Sequence, residues 1–100
     1  MEQYMKEEFA VQQTIKRVQW MEFYFDTLQE AVRRIPDALR EDGPLKEMLM
    51  CLIDYYESGQ WMEDYRCDEQ GKLPKDLKRG VLSEDGVYNF LSDIEKDGST

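Results

Sequence analysis

An all-α protein is what this sequence predicts, and three observations carry the expectation. Residues 2–35 contain no glycine or proline and are mostly good helix formers. Apolar residues return at helical spacing along that stretch and again from residue 44 onward. No segment alternates with period two for long enough to make a strand.

The first helix is expected over 2–35. Val11, Ile15, Val18, Phe25, Leu28, Val32 and Ile35 lie four, three, seven, three, four and three apart, which lines one face with a coiled-coil-like repeat. At 1.5 Å per residue such a helix is roughly 50 Å long. Phe9, Trp20, Tyr24 and Ala31 fall on nearly the opposite side, so cover is expected from both directions. Arg33 and Arg34 suit the carbonyl end of the helix dipole, and Pro36 disfavours helix at Ile35.

Residues 36–43 form a charged connector with room for one helical turn at Asp37–Arg40. Gly43-Pro44 reads as a helix start with proline at the first helical position. Leu45, Leu49, Leu52 and Tyr56 then follow at four, three and four, so a second helix should run to about Glu57 and fold back antiparallel on the first. Ser58 is suited to cap a short third helix carrying Trp61, Met62 and Tyr65, which Gly71 ends. Residues 72–80 read as an irregular basic connector punctuated by Pro74 and Gly80. Ser83 is a good N-cap, with Glu84 and Asp85 in the first turn of a final helix that ends near Asp97-Gly98 and turns Val87, Phe90, Leu91 and Ile94 inward. The short helix and the C-terminal helix are expected to cover the hairpin. One helical domain over 1–100 results, a hairpin at 1–57 followed by a motif-bearing part at 58–97.

Composition narrows the function. The 100 residues hold 22 acids, 13 bases and no histidine, a formal charge of −9. That balance speaks against direct binding to nucleic acid or to an anionic membrane. Without histidine there is no Ser-His or Cys-His pair and no imidazole metal ligand. Two cysteines do not make a disulfide framework. The N-terminal MEQYMKEEFA has no apolar core of a signal peptide, and the longest apolar run, Met48–Ile53, is far short of the ~20 residues that span a bilayer. A cytoplasmic protein is expected.

Tyr55, Tyr56, Ser58 and Trp61 make a YYxSxxW block. Asp64 and Asp68 follow before Gly71 and Pro74, and residues 77–85 read Leu-Lys-Arg-Gly-Val-Leu-Ser-Glu-Asp. In these elements the stretch 55–91 resembles a family of small bacterial single-domain proteins, domain of unknown function 4298. The resemblance covers about a third of the chain, implies a bacterial origin, and supplies neither an activity nor a catalytic residue.

Several constellations have a functional and a plain reading. Asp64 and Asp68, four apart on one helix face, have the spacing to chelate a hard cation or hold a water, with Glu84 as a further carboxylate. The pattern of a calcium loop is missing, however. Residues 57–70 sum to −4, residues 72–79 to +3 and residues 83–97 to −4, which favours internal matching of Lys78 and Arg79 to Asp64, Asp68 or Glu84. Tyr55, Tyr56, Trp61, Tyr65, Tyr88 and Phe90 have the chemistry of a base-stacking platform, but an acidic protein lacks the positive groove such platforms sit in. Packing of these rings over Trp20 and Tyr24 is the better reading, with Trp61 closing the second face of the first helix. Cys51 reads as a core thiol and Cys67 as a thiol disfavoured from ionising by nearby acids. The six methionines suit gap filling.

The function expected is interaction with a protein partner, or self-association, without catalysis, metal or cofactor. Trp61, Asp64, Tyr65, Asp68, Lys78 and Arg79 form the candidate surface, since that block concentrates aromatic, acidic and arginine side chains. Two alternatives stand beside it: an acidic mimic of nucleic acid that inhibits a binding protein, and a carboxylate-based metal-dependent enzyme.

Overall fold

The helix that organises the molecule is α1, Glu2–Arg34, in a computed structural model that describes residues 2–83 and 85–98, with side chains at 7–83 and 85–95. Its length sets the long dimension of a 55 × 24 × 24 Å molecule. The last turn carries Arg33 and Arg34, and both guanidiniums donate to Glu30, at 2.6 and 2.8 Å. Those hydrogen bonds hold the Glu30 carboxyl down to about 2.

Helix α2, Pro44–Glu57, starts at its proline and packs back on α1. Helix α3, Gln60–Glu69, follows Gly59, whose φ of 91° lies in the left-handed region that glycine adopts without strain. Ser58 Oγ accepts the Gln60 amide at 3.3 Å, so the serine meets the start of α3 from one position before the helix's own cap residue. A short 3-10 turn, Gly80–Leu82, leads to α4, Gly86–Gly98. Ser83 Oγ accepts the Gly86 amide at 3.1 Å, so the serine reaches the first residue of α4 from two positions before the helix's own cap position. Glu84, expected in this first turn, lies outside the described residues. All elements are helical and no strand occurs among the described residues.

The buried stripe of α1 is Thr14, Val18, Glu22, Phe25 and Leu28. Leu49, Leu52 and Tyr55 of α2 meet it, Trp61 of α3 adds to it, and Val87 joins it from α4, where Phe25 and Phe90 pack edge to face at 5.6 Å. Segments outside the α-helices contribute as well: Leu39, Leu73, Val81 and Leu82 are all buried.

Four expectations are corrected. Phe9 and Trp20, 65% and 61% exposed, are not covered, and Tyr24 is half-buried. Trp61 packs elsewhere: its ring stacks on Tyr65 at 5.2 Å and meets the edge of Tyr56 at 5.2 Å, because α3 joins α2 and the 3-10 turn on the core side of α1. Ile35 is exposed, since α1 ends one residue before it. Cys51 is exposed as well, on the side of α2 turned away from the buried Leu49, Leu52 and Tyr55.

Candidate functional site

Asp64 is almost fully buried, 1% exposed. Arg17 Nε donates to its Oδ2 at 2.9 Å and Arg17 Nη2 to its Oδ1 at 2.7 Å, a bidentate pair joining α1 to α3. Tyr55 OH donates to Oδ2 at 2.6 Å and Gln60 Nε2 to Oδ1 at 3.1 Å. Thr14 Oγ1 accepts a further hydrogen bond from Arg17 at 3.2 Å and donates to the Ala10 carbonyl. The pairing raises the Arg17 pKa. Burial, with Asp64 beside it, pushes the Tyr55 hydroxyl far above the usual tyrosine range. Four donors fill the four lone-pair positions of the Asp64 carboxylate, leaving it nothing to offer a metal or a substrate proton.

A second network seats the 3-10 turn. Glu22 Oε2 accepts the Val81 amide at 2.7 Å, and Trp61 Nε1 donates to the Val81 carbonyl at 2.7 Å. One residue is thereby gripped from α1 and α3 together. A Cβ on Gly80 would stand 2.9 Å from Glu22 Oε1, so a side chain there would push the carboxylate that holds Val81. Arg79 donates to Asp68 and to the Pro74 carbonyl, tying the basic connector to α3.

The structure therefore separates the residues grouped by sequence. Trp61 and Asp64 point inward; Tyr65, Asp68 and Arg79 are half-buried; Lys78 is exposed. Arg79 pairs with Asp68, one of its expected partners, while Asp64 takes Arg17 instead. Lys78 lines a cleft of about 410 Å3 between α1 and residues 74–78, together with Gln19, Glu22 and Phe23. Beside this cleft stand Trp20 and Phe23, stacked nearly parallel at 6.4 Å and 9°, and 61% and 47% exposed. Gln19 and Phe23 also border a shallower hollow with Lys16 and Trp20, so cleft and ring pair form one continuous surface.

Burial pushes the Cys67 thiol up, against thiolate formation. Among the described residues no group of three Cys, Asp or Glu side chains is placed to hold a metal ion, and no helix is long and apolar enough to cross a membrane. Arg17 and Glu22 were missing from the sequence-based set. Glu22 had a signal: it sits four after Val18 and three before Phe25, a carboxylate on the apolar stripe. Arg17 had none, since its partner is 47 residues away.

A family model described as a domain of unknown function, DUF4298, matches residues 18–96, which takes in the Glu22–Val81–Trp61 network and Asp64 but begins just after Arg17. No curated protein and no solved structure matches the chain.

Proposed function

The chain belongs to the DUF4298 family, and on that premise we propose that it works by binding another protein, as a small helical module without catalysis. The observation that carries this reading is the exposed Trp20–Phe23 pair on the outer face of α1. Tryptophan and phenylalanine are enriched at protein interfaces, and an exposed apolar patch next to a cleft is the usual form of a docking surface. Of the residues picked out by sequence, Lys78 lies on the same surface through the cleft. Both cysteines are free thiols, which suits the cytoplasm. Mimicry of nucleic acid is less well supported, because Glu30, Asp37 and Asp68 are each matched by an arginine rather than laid out in open rows.

Photo-crosslinking in cells of the native host tests the reading. A benzophenone amino acid in place of Phe23 is expected to trap a discrete protein, while the same group at Tyr88, exposed on α4, traps none. Equal products at both positions, or none at Phe23, would refute it. Sedimentation of the purified chain shows whether the trapped protein is a second copy.

A further inference from the structure

The cleft between α1 and the connector has a chemistry of its own. Its walls are apolar: Ile15 and Phe23 from α1, Pro74 and Leu77 opposite. Three carboxylates, Glu22, Asp26 and Asp76, line it against one ammonium, Lys78. Glu22 is 8% exposed and anchored through Oε2 to the Val81 amide. Three carboxylates against one ammonium leave the cleft acidic, so a cationic donor complements it and makes charge-assisted hydrogen bonds there.

We propose that this cleft receives an arginine side chain from a basic segment of the partner protein. The alkyl stem would lie against Leu77 and Pro74, and the planar guanidinium against Phe23, with its fork directed to Glu22 and the neighbouring aspartates. Arginine suits the site better than lysine because its flat, weakly hydrated head stacks on rings and offers several donors at once. The three acids do not form a metal-holding group, whereas the apolar walls beside them suit the stem of a long cationic side chain. Residues flanking that arginine would cross Phe23 to Trp20, since the two hollows share Gln19 and Phe23. A second copy of this chain fits poorly, because each copy carries −9 and an acidic cleft repels it. Lys78 at the rim opposes a cation and directs the head toward the α1 side.

The proposal rests on the interaction reading and names the partner's chemistry. The full chain, 15N-labelled, would be titrated with the capped peptide acetyl-Leu-Arg-Leu-Trp-amide and with its citrulline counterpart, which keeps the shape and loses the charge. Amide shifts are expected at Gln19, Glu22, Phe23 and Leu77. The citrulline peptide should bind roughly fivefold more weakly, the scale of one partly exposed ion pair. Asp26→Asn with Asp76→Asn should weaken the arginine peptide, and Lys78→Glu should tighten it. All three positions are exposed, so the fold is kept. Equal binding of the two peptides, shifts confined elsewhere, or an unchanged affinity in the Lys78→Glu protein would overturn the proposal. Crosslinking at Phe23 that succeeds while the arginine peptide fails removes the arginine and leaves the interaction reading; failure of the crosslinking removes that reading too.

Discussion

A single carboxylate shows how the fold handles buried charge. Asp64 is satisfied by Arg17, Tyr55 and Gln60, so its loss leaves a partly buried guanidinium and a buried hydroxyl without their acceptor. Asp64→Ala should cost ~3 kcal/mol in urea unfolding, the low end for breaking a buried pair because the Arg17 side chain is 29% exposed. Adding Arg17→Met should recover part of that loss, since no unpaired charge then remains. Tyr55 makes a pH prediction. Its hydroxyl is raised above the ordinary 10.0, so the folded state keeps the proton that the unfolded chain gives up. Its contribution is therefore fully present below pH 10 and falls as pH rises beyond it. Tyr55→Phe lacks this term. The stability gap between wild type and Tyr55→Phe, measured by unfolding from pH 8 to 11, should narrow above pH 10; a constant gap would contradict the assignment.

Among the elements, the 3-10 turn depends most on its neighbours. Three residues cannot hold themselves, and Val81 is fixed by Glu22 from one side and Trp61 from the other. Trp61→Ala should cost ~3–5 kcal/mol, the range for a buried aromatic truncation. Trp61→Phe keeps a ring against Tyr65 but leaves the Val81 carbonyl without its donor, at ~1–3 kcal/mol. Thermal melts of the two variants separate ring packing from the hydrogen bond, and a Trp61→Ala protein as stable as wild type would overturn the seat. At the start of α4, a Cβ on Gly86 would stand 2.3 Å from Ser83 Oγ, so Gly86→Ala must displace that hydroxyl. About 1 kcal/mol is expected, and Ser83→Ala should add little on top of it.

In the whole molecule, the other elements gather on the core side of α1, so Phe9, Trp20 and Phe23 on its outer face meet solvent. Replacing both Trp20 and Phe23 by alanine should leave the melting temperature almost unchanged, as exposed substitutions stay within about 0.5 kcal/mol, and should abolish partner binding. A large fall in melting temperature would mean that the pair is part of the core. The sequence by itself determined the fold class and most helix limits, because periodicity, Pro44 and Gly71 act over one or two turns. It also showed that α1 is apolar on two sides, and that the basic connector answers the acids of α3, as the Arg79–Asp68 pair does. Which side of α1 is buried, and that Asp64 takes Arg17, were decided only by how the helices cross. The burial of Leu39, Leu73 and Val81 was equally a tertiary outcome, since these residues lie outside any α-helix and no period marks them. Local rules reach a few residues along the chain; the pairs that join one element to another in the two networks are 9, 20, 47 and 59 apart and meet only once the core has formed.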